Sequence, residues 1–565
     1  MICTIANSLW LAGCLAEYTR FRRATRQVEQ EQRSLLQRIL WENAETDFGR
    51  QHQFSSIRSV QEFQSRVPLR DYAALQPWMD RAAAGEPNVL TREGVRLFEP
   101  TSGTGSSAAT KLIPYTPALQ REFHRGVQAW IADLFLHQPE LLNGPAYWSV
   151  SPALKREQRT AGGIPIGFDD DAAYLGWQQR LARAVMAVPA AVRGISQTEA
   201  FRYLTLLFLV RSRKLKLISV WNPTFLSLIV GQLAEWGEEL ARDLYHGGVA
   251  RDIPSLDASL RSSLLGSLHP DKRRAGELRA ALRTGSPAGT HAALWPELKL
   301  ISCWADANAA APAAELQTLF PESRIQGKGL IATEGFISFP LAGHQDAALA
   351  IRSHFLEFLP VNAAGESDPS TPRLAHQLDQ GQRYSVVITT GGGLYRYPLG
   401  DTVEVTGRVA ECPLIRFVGR EGYVSDWFGE KLNEAHVARV LQTAFAAQAM
   451  SPRFAMLACD PAPPASYVLY IDTPEPDETL YRAAARIDAT LRDNFHYDYC
   501  RELRQLGPVH VLRAKNAAET YMALAANNGQ RSGGVKLLAL DRRDGWSRIF
   551  QGKPAADVMQ ESARL

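Results

Sequence analysis

The chain has 565 residues, 45% of them hydrophobic and 21% charged, which is too long for one compact core and too apolar for a disordered or collagen-like polymer. Lys and Arg number 62 against 59 Asp and Glu, a formal net charge of +3, so the charge balance gives no reason to expect nucleic acid as a partner. The six cysteines are scattered without a Cys-x-x-Cys pair, which disfavours a disulfide framework or zinc ribbon and fits the reduced thiols of a cytoplasmic protein. No apolar run is long enough to cross a bilayer, so no membrane association is expected.

In chain order, Leu11-Ala12-Gly13-Cys14 has the small-residue look of a lipoprotein cleavage site. No basic stretch precedes it, Asn7 and Ser8 interrupt its apolar part and the arginines come afterwards, so the segment reads as an amphipathic first helix packed on the body of the protein. Val28, Leu35, Leu36, Ile39 and Leu40 give residues 25–42 helical spacing. Residues 70–91 are mixed and turn-containing. A strand at Val95–Phe98 enters a glycine- and hydroxyl-rich loop, and residues 117–136 follow as a helix. Lys214–Trp221 alternates like a strand, and Asn222-Pro223-Thr224 starts a helix reaching about Tyr245 by side-chain capping and an early proline. Lys299–Cys303 is strand-like, and 362–373 is a surface loop by composition. Strands at Tyr384–Thr389, Thr402–Val405 and Leu414–Val418 surround Gly391-Gly392-Gly393. A helix over 433–448, strands at Ser466–Ile471 and Val509–Leu512, and a helix over 478–493 complete an α/β alternation. The charged junction after Gly419-Arg420 divides the chain into 1–420 and 421–565.

Four segments carry chemistry. Thr101–Lys111 (TSGTGSSAATK) holds six hydroxyl residues, two glycines and a terminal lysine. Its backbone N–H groups, hydroxyls and ammonium suit a polyphosphate, although such a loop also serves as a flexible linker. It lacks the spacing of a Walker A loop and of a G-x-S-x-G nucleophile elbow. Gly329–Gly335 (GLIATEG) places Thr333 and Glu334 at a strand tip, where a carboxylate either holds Mg²⁺ beside a nucleotide or is a solvated turn residue. In Thr389–Asp401 (TTGGGLYRYPLGD) glycines permit close backbone approach, aromatics can wall a pocket, and Asp401 offers an acceptor for a ribose diol; a plain hairpin turn is the alternative. Phe417–Tyr423 (FVGREGY), followed by Gly429–Leu432 (GEKL), suits a hinge or a simple linker.

Together these segments, with Phe63–Tyr72 (FQSRVPLRDY) and Ile113–Thr116 (IPYT), resemble the adenylate-forming superfamily of acyl-CoA synthetases, peptide-synthetase adenylation domains and luciferases. More narrowly, they resemble the auxin-responsive acyl acid amido synthetases in their bacterial form, over about residues 25–540. The resemblance implies a two-domain fold. A large N-terminal α/β domain (1–420), with sheets and a β-barrel-like part, binds ATP and the acyl acid; a small mobile α+β domain (421–565) carries a lysine. It further implies that Ser102, Gly103, Thr104 and Lys111 meet the β- and γ-phosphates, Thr333 the α-phosphate, Glu334 the Mg²⁺ and Asp401 the ribose, with Arg420 beside it. Lys536, in Gly529–Lys536 (GQRSGGVK), would be the mobile lysine.

There are two departures from the pattern. The loop between Gly103 and Lys111 is about one residue longer than expected, and Leu537-Leu538-Ala539 replaces a proline-containing ending after Lys536.

The implied activity is ATP-dependent formation of an acyl-adenylate from a carboxylic acid, then transfer of the acyl group to an amine, usually an amino acid. A ligase passing the acyl group to coenzyme A, or a nucleotide-binding relative without turnover, are the alternatives. Thr160–Phe168 (TAGGIPIGF) resembles the acceptor-side loop, while Asp169–Asp171 reads equally as a solvated turn. His124 reads as a surface or satisfied histidine, Cys303 as a buried small hydrophobe, and Trp221 and Trp304 as core rather than acid-pocket walls.

Overall fold

The computed structural model describes residues 2–101, 111–148, 158–167, 181, 184–195, 197–251, 264, 266, 268–362, 367–420, 424–425, 427–428, 430–461, 465–503, 505–527, 535–550 and 553–554. The chain opens with helix α1 (Ile2–Ala24), which buries Ala6, Trp10, Cys14 and Phe21 on one face. Asn7, which interrupts the apolar sequence, is itself buried and donates to the carbonyls of Leu142 and Gly144 at 3.0 and 3.3 Å. The first helix therefore packs on the body as expected, with Cys14 in the core. Helix α2 (Val28–Glu42) follows, burying the five predicted apolar positions. Residues read as mixed contain a helix, α3 (Tyr72–Ala83), capped by Asp71, which accepts from Ala74 N–H at 2.9 Å; Pro77 inside it hides the periodicity.

Strands β1 (Leu97–Thr101) and β2 (Lys111–Tyr115) form an antiparallel hairpin. Thr116 then caps helix α4 (Pro117–His137), its Oγ1 accepting from Leu119 N–H at 3.1 Å. Helix α4 is buried along most of its length because it lies between sheets. On one side is a four-stranded sheet of β3 (Ala146–Trp148), β4 (Leu217–Ser219), β5 (Leu300–Cys303) and β6 (Arg324–Gly327), parallel throughout and in that order. Ala146, Leu217 and Leu300 face the core that contains α4, and Tyr147, Ile218 and Ile301 face a second core of helices. Cover on both faces is what a parallel sheet requires.

Between β4 and β5 the single helix expected after Asn222 is two, α5 (Pro223–Val230) and α6 (Leu233–His246), parted at Gly231-Gln232. A short hairpin of β7 (Ile331–Ala332) and β8 (Gly335–Phe336) follows. The β-rich part that follows is a seven-stranded antiparallel sheet. Its longest strands are β9 (Tyr397–Val409) and β10 (Cys412–Arg420), which extend the predicted strands to include Asp401 and Arg420.

Beyond them, α7 (Glu434–Ala446), capped by Asn433, and the helix Asp477–Leu491 cover one face of a five-stranded mixed sheet; the helices Ala517–Asn527 and Trp546–Phe550 cover the other. This C-terminal layer docks on the rest through Arg202 and Glu519, 2.6 Å apart, and through Leu228 of α5 against its second core. Among the described residues no helix is long and apolar enough to cross a membrane, and none of the six cysteines is in a disulfide.

Candidate active site

The hairpin β1–β2 sets the position of Lys111. Its register places Lys111 directly opposite Thr101, so both ends of the intervening loop leave from one rung. Ser102, Gly103 and Thr104 lie outside the described residues. The Lys111 ammonium sits 5.6 Å over the ring of Tyr72 on α3, and Tyr72 is fixed by accepting from Leu112 N–H at 2.8 Å. Burial pulls the Lys111 pKa below its usual range, with the Glu334 carboxylate opposing.

Thr333 and Glu334 are the two turn residues of the β7–β8 hairpin. The Glu334 side chain is not solvated: it is 4% exposed. Burial raises its carboxyl above the ordinary range, against the attraction of Arg420 and Lys111. The hairpin is held from behind by a buried relay. Phe336 N–H donates to His354 Nε2 at 2.9 Å, and His354 Nδ1 lies 2.9 Å from Glu122 Oε2 on α4. Since Nε2 accepts, Nδ1 carries the proton and donates to Glu122. The same carboxylate accepts from Gly391 N–H at 3.0 Å, and Thr116 Oγ1 donates to Gly391 O at 2.9 Å.

The space beside the glycine run is therefore taken up by α4. A Cβ on Gly391 would lie 2.7 Å from Ala118 Cβ, and one on Gly392 3.0 Å from Leu119 Cδ2. These glycines let the loop lie against the start of α4. Tyr395 is core as well, fully buried, donating to Leu90 O at 2.7 Å and stacked on Phe48. Tyr397, by contrast, lies within electrostatic reach of Glu334 and Arg420.

Asp401 and Arg420 face each other across β9 and β10 as a register pair, with Arg420 Nε 3.5 Å from Asp401 Oδ1. Both atoms are buried and neither has a hydrogen-bond partner among the described residues. A buried carboxylate oxygen without a donor is costly and is placed to accept from a ligand hydroxyl. Burial alone would lower the Arg420 guanidinium; Asp401 and Glu334 outweigh it and hold the group above its ordinary value.

Lys536 completes the group from the C-terminal layer. Its ammonium lies 5.4 Å from the rings of both Trp304 and Phe417. Burial lowers it, while Asp401 and Glu334 favour the charge. Asn222 anchors this segment: its Nδ2 donates to Val535 O at 2.7 Å while its Oδ1 caps α5 by accepting from Thr224 N–H at 2.9 Å. Lys111, Glu334, Asp401, Arg420 and Lys536, drawn from five separated segments, thus share one electrostatic neighbourhood.

Family models match three consecutive stretches of the chain: the GH3 family N-terminal domain over residues 17–325, the central domain over 347–420 and the C-terminal domain over 435–540. The chain belongs to the GH3 family. Among GH3 relatives, indole-3-acetic acid-amido synthetase GH3.8 of Oryza sativa subsp. indica is 25% identical over 467 residues, 79% of this chain and 76% of that protein. Indole-3-acetic acid-amido synthetase GH3.3 of Arabidopsis thaliana is 23% identical over 532 residues, 89% and 88% of the two chains. A solved GH3.15 acyl acid amido synthetase superposes with a TM-score of 0.81 at 21% identity, covering 94% of this chain and 95% of its own. The GH3 fold expected from the motifs is the fold found.

Among the described residues no group of three or more His, Cys, Asp and Glu side chains is arranged to hold a metal ion. Glu334 by itself fits Mg²⁺, which usually takes one or two carboxylates and completes its shell with water and phosphate oxygens. Of the residues set aside in the sequence, Cys303 is fully buried, its thiol pushed up to about 12 by burial, and His124 is half-buried on α4. Trp221 and Trp304 are corrections: they are half-buried, outside the hydrophobic clusters, and pack on each other at 6.0 Å. Glu122, His354 and Asn222 are the positioning residues that motif reading misses; Asn222 announces its cap but not its second bond.

Proposed function

We propose that this protein is an AMP-forming amide synthetase that activates a carboxylic acid with ATP and passes the acyl group to an amine, namely an amino acid. The gathering of Lys111, Glu334, Asp401, Arg420 and Lys536 at one buried locus carries the reading. One carboxylate oxygen of the acid attacks the α-phosphorus, the bond from that phosphorus to pyrophosphate breaks, and an acyl-adenylate forms. The amine nitrogen then attacks the acyl carbon, the bond to the AMP oxygen breaks, and the nitrogen gives up one proton. Negative charge concentrates in the first step, so positioning and charge stabilisation are the protein's main contributions.

In this reading Ser102, Gly103, Thr104 and Lys111 hold the β- and γ-phosphates, Thr333 the α-phosphate and Asp401 the ribose hydroxyls, with Arg420 beside Asp401. Lys536 stabilises the charge passing to pyrophosphate. Glu334 is the protein ligand for Mg²⁺, which when bound neutralises phosphate charge. Residues 1–420 form the large domain and 421–565 the small domain that brings Lys536 and excludes water from the adenylate. The unpaired cysteines fit a cytoplasmic enzyme.

Acid-dependent ATP–pyrophosphate exchange with Mg²⁺ tests the first step, and AMP release with amino acids or coenzyme A tests the second. Exchange followed by amino-acid-dependent release is the expected result. Release with coenzyme A instead makes the protein an acyl-CoA ligase, and ATP binding without exchange makes it a non-catalytic relative.

A further inference from the structure

The parallel sheet ends in a polar row that the adenylation residues leave unused. Register across its four strands places Trp148 beside Ser219, Ser219 beside Ser302, and Ser302 beside Gln326. Two residues earlier on the first three strands, Ala146, Leu217 and Leu300 belong to the core shared with α4, so strand alternation turns the row toward α4 as well. The row lies at the carboxyl ends of the strands, where open α/β sheets hold their ligands.

Lys328, the residue after β6, closes the row. It is 5% exposed, and its Nζ donates to Ser219 Oγ at 2.6 Å. The ammonium lies 5.2 Å from the ring of Trp130 on α4 and 5.1 Å from that of Trp221, while Trp130 packs edge-on against Trp148 at 5.8 Å. Among the described residues no carboxylate pairs with Lys328, and burial brings its pKa down to about 7. Around it, Ser302 Oγ, Gln326 Oε1 and the indole Nε1 atoms of Trp130 and Trp148 are buried without a hydrogen-bond partner among the described residues. Ser302 is wholly buried. Partnerless buried polar atoms are uncommon in folded proteins, and several around one buried amine mark a place where a ligand supplies the partners.

The row also has a direction. From Lys328 the indole of Trp221 leads to that of Trp304, and Trp304 lies against the Lys536 ammonium. Two neighbouring indoles, tilted 45° to each other, therefore connect the polar row to the site of adenylation.

We propose that the row is the far end of the acid pocket and selects an aromatic carboxylic acid bearing a hydroxyl on the ring position remote from the reacting carboxylate. This assignment rests on the adenylating reading above. The ring lies against the indole faces. Its hydroxyl oxygen accepts from the Lys328 ammonium and an indole N–H, and its proton goes to Gln326 Oε1. An unsubstituted ring leaves the indole N–H and Gln326 Oε1 unpaired and gives the Lys328 ammonium no acceptor beyond Ser219. A second carboxylate has no proton for Gln326 Oε1 and sets negative charge against it.

The full-length protein is titrated calorimetrically, without ATP, with benzoate, phenylacetate, cinnamate, their para-hydroxyl counterparts and terephthalate, and the same acids are compared by pyrophosphate exchange. In at least one matched pair the hydroxylated acid is favoured roughly a hundredfold, because a site built for a hydroxyl rejects the analogue lacking it. That ratio collapses toward one in Lys328→Met. It also falls in Gln326→Leu, which removes the acceptor assigned to the hydroxyl proton, an oxygen with no partner among the described residues. Equal binding within every pair, binding of none of the acids, preference for terephthalate, or an unchanged ratio in Lys328→Met overturns the assignment. Selective binding without exchange keeps the hydroxyl site and removes the adenylating reading; exchange with no discrimination does the reverse.

Discussion

Asn222 and Val535 are joined by a hydrogen bond of 2.7 Å across the face on which the C-terminal layer docks. One side chain thereby starts helix α5 and fixes the backbone next to Lys536. Asn222→Asp keeps the cap oxygen and loses the donor, leaving two acceptors face to face. Because a buried carboxylate then faces a carbonyl, we expect a lower melting temperature, together with a fall of about tenfold in the rate of adenylate formation, the equivalent of one lost hydrogen bond of roughly 1.4 kcal/mol. Single-turnover measurement beside an ATP titration checks this: a weakened ATP affinity at unchanged rate contradicts it.

Glu334 is the buried carboxylate of the β7–β8 turn, and its replacement probes charge stabilisation directly. Glu334→Gln retains volume and removes the charge. Pyrophosphate exchange is expected to fall on the order of a hundredfold or more, the scale of removing one preorganised electrostatic group, with the circular dichroism spectrum unchanged. Normal exchange in this variant rules out the proposed metal ligand.

The His354–Glu122 relay makes a different prediction, because it acts behind the turn. His354→Phe leaves the buried Phe336 N–H without a partner and the Glu122 carboxylate with the Gly391 N–H but no imidazole donor. It should destabilise the fold by about 2–3 kcal/mol in urea unfolding, since one orphaned buried group costs roughly 1–3 kcal/mol and a lost hydrogen bond to a charged group adds to that. Glu122→Gln, alone and combined with His354→Phe, should give a non-additive cycle, as groups in direct contact do. Additive losses mean that the two side chains act independently.

Lys328 predicts a dependence of stability on pH. Its folded pKa is about 7 against an ordinary value of 10.5. Between these values the unfolded chain holds the proton that the folded chain has lost, so unfolding free energy rises with pH across this window. The facing Cys303 thiol titrates at about 12 and stays neutral there. Relative to Lys328→Met, the parent should gain on the order of 2 kcal/mol between pH 7 and 9. A pH-independent difference between the two proteins contradicts a depressed Lys328.

Much of the site is legible locally. Lys111 and Glu334 each close or cap a strand signal, and Asp401 and Arg420 each directly follow a single glycine. The α/β alternation is equally plain, as is the Thr116 cap of α4. The relay is silent in the sequence because 232 residues separate His354 from Glu122, and neither stands in a pattern of its own. The glycines of 391–393 read as freedom to approach a ligand, yet what they approach is α4; a sequence shows the missing side chain, not the neighbour that fills its space. Trp221 and Trp304 read as core because large aromatics usually are, and only the neighbouring ammonium groups of Lys328 and Lys536 give them another part.

The rung joining Thr101 to Lys111 has a consequence for the length of the loop it closes. The register of β2 is set by five paired residues, so the lysine is placed by the hairpin and not by the nine residues hanging from it. Lengthening that span by one residue changes its closure entropy by only about 0.1 kcal/mol. An extra residue in this loop, such as the resemblance implies, is therefore thermodynamically almost free. Loop length and lysine position can vary independently, which lets the loop be remodelled without moving the charge at its root.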